Sequence, residues 1–495
     1  TSEDQGKLEE AIEAYNKALV INPDYADAHL SLGFALLKSG ELKRGLDEYE
    51  WRWNSTKFMS SNRHFPQPLW DGQTSLKDKR ILLWCEQGVG DTMNWSACLP
   101  LVASQAGHCI LECQEKLVPL LSRSFPNVEV KPQNRSLDSK RDDFDFHLPM
   151  GSLYRNFISE ISQNTKANAF LVPDPVRVNF WRDRLRSLGK GPYVGLSWKS
   201  ANMSPKRLPN YAAVSELSPI LKLPGITFIN LQYTDFKEDL SKIQNELGVT
   251  VHNFDDLDHY DDLLDVAALC AALDVTVSTT SAVPFVSAGV GTLTKFASWK
   301  QSPWSNNLFN PVGPLVDKFE RNTWEPWDNV FHLIADDILK LTDDWSAQCT
   351  EGDGFDQLEQ RLNEVGQAHS EADTASSKVH SRQSNILDTL KLDQALRLAK
   401  KTAKEHSVEE AKRIYQDILV KFPKNKRAMD GLKGFAGERF SEVSKVQDPP
   451  HYQQQLLADL YNEGKLQETL DRVAELLQKF PNSTKLFNIQ GASNA

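Results

Sequence analysis

The sequence predicts an α/β protein of two similar halves in tandem, flanked by all-α helical repeats. Three observations carry this prediction. Short apolar runs alternate with helix-like segments in two series, one starting at Arg80 and one at Tyr193. The first apolar run meets a Gly88-Val89-Gly90-Asp91 turn, the signature of a strand, a tight turn and a helix N-terminus. Glycine, alanine, tyrosine and proline recur in phase at both ends of the chain.

The repeats come first in the chain. Gly6, Leu8, Ala11 and Tyr15 recur as Gly40, Leu42, Gly45 and Tyr49, each pair 34 residues apart, the tetratricopeptide (TPR) period. Pro23 closes one helix, and Ala28, Leu32 and Gly33 fall where the next packs; small residues there let paired helices approach closely. The array runs into Glu50-Trp51-Arg52-Trp53, so it is expected to dock onto the neighbouring part of the chain. Residues 54–79 read as a connector broken by Pro66, Pro68 and Gly72 and anchored by Trp70.

The first half spans 80–190. Its strands are expected at 81–85, 109–113, 128–131 and 144–148, with helices at 92–106 and 115–124 and a crossing helix at 176–188. The second half spans 191–348. Strands are expected at 193–198, 227–231, 249–253, 275–278 and 294–297, with helices at 211–221, 236–247, 261–273 and 282–289. A last helix, 327–341, is expected to pack back on the first half. Residues 349–388, poor in large apolar groups, read as a flexible linker. TPR-like repeats return over 389–495, where Ala411, Tyr415, Pro423, Ala428 and Leu432 match the first array at a constant offset of 400. The repeats begin and end mid-unit, which leads to the expectation of a fragment of a longer, tandemly duplicated polypeptide.

Bulk properties exclude several classes. At 495 residues the chain exceeds one core. A net charge of −11 argues against nucleic acid as a partner, and no apolar run reaches the roughly 18 residues of a transmembrane segment. Six cysteines with no CxxC pair point to a reduced, cytoplasmic setting. Cys109 and Cys113 flank a strand-like Ile110-Leu111-Glu112 and are not read as a zinc pair.

Two tandem halves of this kind leave a cleft at the carboxyl ends of their strands. Asp91 can cap its own helix or face a reaction as a base. A dinucleotide fingerprint needs a third glycine near position 93, which is Met93, so a dehydrogenase or epimerase is disfavoured. Ser278-Thr279-Thr280-Ser281 precedes a helix; its hydroxyls can bind phosphate or simply cap. Lys199, Lys206 and Arg207 follow the first strand of the second half and can neutralise a departing phosphate or form a solvated basic loop. Glu86, Gln87, Gly88 and Gly90, with Gln232, are further candidates for donor or acceptor contact. Asp143-Phe144-Asp145 is read as structural rather than as a metal pair, His147 as a strand histidine, and the tract Trp299, Trp304, Trp324, Trp327 as packing.

Pro68-Leu69-Trp70-Asp71-Gly72, Glu86-Gln87-Gly88-Val89-Gly90-Asp91-Thr92, 145–153, Val194-Gly195-Leu196-Ser197-Trp198-Lys199 and 261–291 together resemble bacterial TPR-containing glycosyltransferases. Their catalytic part is similar to the heptosyltransferases of glycosyltransferase family nine. The resemblance covers roughly 1–345. It implies a GT-B fold, two Rossmann-like halves with a nucleotide-sugar between them, and no required metal or cofactor. It further implies Asp91 as base, Lys199 facing phosphate, and 279–283 beside the diphosphate. The chain departs from the family there: many relatives carry an Asp-Thr pair and then a histidine, and this chain has Thr280-Ser281 and Phe285. TPR-fused members include transferases resembling the O-linked GlcNAc transferase and the flagellin glycosyltransferases, whose repeats recruit the protein to be modified. The expectation is a metal-independent glycosyltransferase acting on a protein acceptor. The alternatives are a TPR interaction scaffold with a degenerate domain, or a heptosyltransferase-like enzyme of surface glycan synthesis.

Overall fold

The computed structural model describes residues 2–55, 62–163, 169–204, 207–299, 315–322, 325–348, 414, 418 and 448–494. All but Ile414 and Ile418 lie in one compact unit. The expected linker at 349–388, and most of 389–447, fall outside the described residues, as do Lys206, Trp304 and Trp324.

The array opens with α1 (Ser2–Ile21), α2 (Ala26–Ser39) and α3 (Leu42–Tyr49), followed by a 3-10 turn, Glu50–Asn54. Ala11, Tyr15, Leu32, Ala35 and Leu36 form its core. A Cβ on Gly33 would stand 3.0 Å from the Gly45 carbonyl, so the small residues do permit the close approach of α2 and α3. In the connector, Trp70 is buried and donates from Nε1 to the Thr74 carbonyl, and Leu69 bridges to His147.

The first sheet holds β1 (Arg80–Trp84), β2 (His108–Cys113), β3 (Glu129–Pro132) and β4 (Phe146–Pro149), in the order β3-β2-β1-β4. Every pairing is parallel. β1 reads Ile-Leu-Leu-Trp because helices cover both faces of a parallel sheet, leaving no polar side. The expected helix 92–106 is two: α4 (Val89–Ser96) and α5 (Leu99–Ala103). Pro100 lacks the N–H that would continue the first, and instead suits the first turn of the second. α6 (Val118–Ser124) follows β2. An unexpected helix, α7 (Leu153–Gln163), follows β4, and α8 (Pro175–Leu188), N-capped by Asp174, crosses to the second half.

The second sheet has, among the described residues, six parallel strands: β5 (Tyr193–Ser197), β6 (Thr227–Asn230), β7 (Val251–His252), β8 (Val275–Ser278), β9 (Leu293–Trp299) and β10 (Val316–Arg321). Their order is β10-β9-β8-β5-β6-β7. β10 is unexpected; its pattern is mixed and only its two ends are buried. The expected strand 249–253 shortens to two residues at the sheet edge. The expected helix 211–221 becomes a 3-10 turn, Val214–Leu217, and the short α9 (Ser218–Leu221), which Pro219 starts; a further 3-10 turn, Leu208–Asn210, precedes it. α10 (Lys237–Leu247), α11 (Leu263–Ala271) and α12 (Val283–Gly289) complete the alternation.

The described buried apolar residues of the last helix of this half, α13 (Asp328–Gln348), pack on the second half and not on the first. Val330, Phe331, Ile334 and Ile338 bury against Val194, Leu196 and Phe228 of the second. Trp327 joins them and donates to the Tyr211 carbonyl, while Trp299 donates to Asn210; both serve packing. Phe331→Ala should lower unfolding free energy by about 3–5 kcal/mol, read from a denaturant midpoint; under about 1 kcal/mol would mean that this face does not hold the sheet.

The described chain ends with α14 (His451–Asn462), α15 (Leu466–Lys479) and α16 (Thr484–Asn494). α16 lies along α1, with the Tyr15 ring against Gly491. The apolar edge of the first array is thus covered within the chain. No helix among the described residues is long and apolar enough to cross a membrane.

Candidate active site

The strand order sets where a site can form. In the first sheet the order reverses between β1 and β4, and in the second between β5 and β8. Crevices at the carboxyl ends of such strand pairs are where open parallel sheets bind ligands. Residues 85–91 and 150–152 leave the first pair; 198–199 and 278–281 leave the second.

The two exits meet. α4 packs against α12, and a Cβ on Gly90 would fall 3.1 Å from the Phe285 ring and 3.4 Å from the Ala282 Cα. Glycine at 90 is what lets the first turn lie flat on the start of α12. Asp91 and Ser278–Ser281, 187 or more positions apart in sequence, are thereby brought to one place.

Asp91 is the third residue of α4, and its Oδ2 accepts from the Gly88 N–H at 3.1 Å. This is the reach-back half of a capping box, so the capping role is real. It does not exhaust the carboxyl. Burial pushes its pKa up to about 6, with the Gly88 amide and the Arg207 guanidinium pulling the other way. A carboxylate poised there suits a general base. Among the described residues, Arg207 rather than Lys199 is the second-half cation that acts on Asp91.

Lys199 is turned elsewhere. Its Nζ lies 2.6 Å from Asp239 Oδ2 on α10 and donates to the Asp235 carbonyl at 3.0 Å. Trp198 Nε1 donates to the same Asp239 oxygen at 2.8 Å. Gln232 is buried and engaged with the backbone that leaves β5. Its Oε1 accepts from the Trp198 and Lys199 amides, both at 3.0 Å, and its Nε2 donates to the Lys199 carbonyl. These contacts make Gln232 the clasp that shapes the β5 exit.

At the β8 exit the hydroxyls divide. Ser278 Oγ donates to the Thr279 carbonyl and lies 3.2 Å from Ser281 Oγ, which accepts from the Val283 N–H. Ser281 therefore serves the start of α12. Thr279 and Thr280, 1% and 8% exposed, keep hydroxyls with no hydrogen-bond partner among the described residues. Native interiors rarely leave such groups unmet, so each calls for an explanation.

On the first turn, Gln87 donates to Tyr49 Oη, and its carbonyl accepts from Gln114 Nε2. Glu86 is buried; its Oε1 accepts from the Gly151 N–H at 3.0 Å and from Arg52 at 3.2 Å, and burial pushes its carboxyl up to about 7. A Cβ on Gly151 would meet Glu86 Oε1 at 2.3 Å, so a larger residue there would displace the Glu86 carboxyl. Arg52, Gly151 and Ser152 belong to this site and escape a reading of the sequence alone. A lone arginine among Tyr49, Trp51 and Trp53 at a repeat end is the available signal.

Other charged candidates have structural work. Asp143 pairs with Arg141, and Asp145 with Arg80. His147 accepts at Nδ1 from Trp84 Nε1 at 3.3 Å, and burial pushes its pKa down to about 4. Cys109 and Cys113 are buried free thiols on one strand.

Comparison with known proteins agrees with the helical array. Residues 4–40 match a TPR repeat model. The chain is 32% identical over 353 residues to Protein FlbA of Caulobacter vibrioides, a match covering 67% of this chain and 59% of that protein's length. Among solved structures it is similar to a glycosyl transferase family 9 protein from Veillonella parvula, with TM-score 0.40 and 11% identity, covering 51% of this chain and 88% of that one. It is also similar to the E. coli ADP-heptose LPS heptosyltransferase II, with TM-score 0.37 and 15% identity, covering 52% and 98%. The chain is thus a TPR-bearing α/β protein and a sequence relative of FlbA.

Proposed function

We propose that this protein is a GT-B glycosyltransferase that moves a sugar from a nucleotide-sugar to an acceptor hydroxyl. The observation that carries the reading is the apposition of the Asp91 turn with the unpartnered Thr279 and Thr280 hydroxyls across the α4–α12 contact. In this reading Asp91 takes the proton of the acceptor hydroxyl, and the acceptor oxygen bonds to the anomeric carbon. The bond from that carbon to the diphosphate oxygen breaks, and its electron pair leaves with the phosphate. The Thr279 and Thr280 hydroxyls and the Arg207 charge meet that developing negative charge. They need no metal to do so.

The acceptor is a protein held by the repeats, and the match of residues 4–40 to a TPR repeat model supports this. One observation favours the scaffold alternative: Lys199, the cation expected to face the donor, is consumed by Asp239. The two readings separate in one experiment. The wild-type chain is titrated with nucleoside diphosphates and nucleotide-sugars while its melting temperature is followed. A ligand present at 100 times its Kd stabilises by about 2.7 kcal/mol, so a transferase melts higher with its donor nucleotide. A chain that responds to none is a scaffold.

A further inference from the structure

We propose that Arg52, delivered by the end of the repeat array, is a positioning residue for the turn that carries Asp91. Docking of the repeats and competence of the cleft would then be one event. The catalytic consequence rests on Asp91 acting as the base; the structural coupling does not.

The Arg52 side chain is wholly buried, between the Tyr49 and Trp53 rings at 4.5 Å from each. A buried guanidinium must be paired, and its partners come from both sides of the junction. Glu50 Oε1, on the repeat side, lies 2.6 Å from Nη1. Glu86 Oε1 and Ser152 Oγ, on the sheet side, lie 3.2 and 2.8 Å from Nη2. Ser152 Oγ also stands within hydrogen-bond distance of both Glu50 oxygens. One residue further along the β1 exit, the Gln87 side chain is held by Tyr49 Oη. The repeat end therefore grips two consecutive residues at the exit of β1, and Ser152 at the exit of β4.

Apolar packing would hold two domains together at least as well. Replacing a buried ion pair by well-packed hydrophobic residues is often neutral or stabilising. Here one cation stands between two carboxyls, Glu50 and Glu86, and Glu86 keeps Oε2 buried without a partner among the described residues. Among the described residues, Arg52, Glu50, the Tyr49 phenol and the Cys85 thiol are the charged and titratable groups that interact with Glu86. Arg52 is the cation among them. Glu86 and Asp91 bracket the Gly88–Gly90 turn, so a shift of Glu86 is passed to Asp91 over five residues of backbone. Any partner that moves the 3-10 turn Glu50–Asn54 on binding the repeats would act on Asp91 through this contact, and the coupling would be reciprocal.

The test compares the wild-type chain, Arg52→Met and Arg52→Lys. The Glu86 carboxyl is followed by 13C NMR against pH, with Glu86→Gln supplying the assignment. Hydrogen exchange is read over 86–95, and kcat and KM for sugar transfer are measured. Arg52→Met should raise the Glu86 midpoint by about one pH unit or more. It should also speed exchange over 86–95 and lower kcat about tenfold or more, with donor KM within about threefold. Arg52→Lys should restore at least half of each change. An Arg52→Met protein that melts lower but leaves the Glu86 titration and the exchange of 86–95 unchanged would overturn the proposal. If Arg52→Met does not fold, Arg52→Gln, which removes the charge and keeps a hydrogen-bonding side chain, decides it: an unaltered Glu86 midpoint and unaltered exchange over 86–95 overturn it. A wild type that transfers no sugar would sink the reading of Asp91, and the NMR and exchange results would still judge Arg52.

Discussion

Asp91→Asn should lower sugar transfer about 10²- to 10⁴-fold, the usual contribution of a positioned general base. The substitution keeps the size of the side chain and an oxygen able to accept from the Gly88 N–H. The start of α4 should survive, and nucleotide affinity should stay within about threefold. The pH dependence comes from the same carboxyl. Burial raises its pKa to about 6, and a base must be ionised to accept a proton. Wild-type transfer should therefore fall as pH drops through about 6. Stability has the opposite sense. A carboxyl whose folded pKa is raised binds its proton more tightly in the folded state, so stability declines as pH rises from the ordinary carboxylate range to about 6. Asn at 91 should remove that part of the slope. A variant with full transfer activity would show that Asp91 is a cap and nothing more.

Thr279→Val with Thr280→Val should separate binding from folding. Both hydroxyls are buried and unpartnered among the described residues, and valine matches threonine in shape. Removing a polar group that makes no hydrogen bond is neutral or stabilising, by about 1 kcal/mol for each hydroxyl. If the hydroxyls meet a phosphate, each lost bond to a charged group is worth about 1.5–3 kcal/mol, roughly ten- to a hundredfold in affinity. The double variant should thus melt no lower than wild type and bind nucleoside diphosphate at least about tenfold more weakly. Loss of stability with binding unchanged would place both hydroxyls in the fold instead.

Much of the architecture is legible in the sequence because it depends on local pattern. β1 and β8 are short runs of strand-forming residues between turns, and the 34-residue spacing of Gly6, Tyr15 and their counterparts carries the array. Pattern fails where tertiary context decides. Pro100 divides one apolar helical stretch into α4 and α5. β10 lies at a sheet edge with only its ends buried, so it has little pattern to read. The side on which α13 packs is hidden because its Val-Phe-Ile stripe fits any apolar sheet face. At the site, the turns are visible in sequence but their partners are not. Lys199 meets Asp239 forty positions away, and Gln232 spends its amide on the β5 exit. Arg52 lies among aromatics in a repeat, where an arginine reads as surface until Glu86 is known to sit opposite. Gly90 stands out as part of a turn; its closeness to Phe285 is visible only when both halves are in place.

The proposed function requires the apposed exits of β1 and β8 to form one nucleotide-sugar cleft. The most direct measurement is calorimetric titration of wild type and of the Thr279→Val, Thr280→Val double variant with nucleoside diphosphates and nucleotide-sugars. Wild type should bind saturably with one-to-one stoichiometry, and the double variant at least about tenfold more weakly. Absence of binding to wild type across both ligand sets, or equal binding by the two proteins, would contradict it.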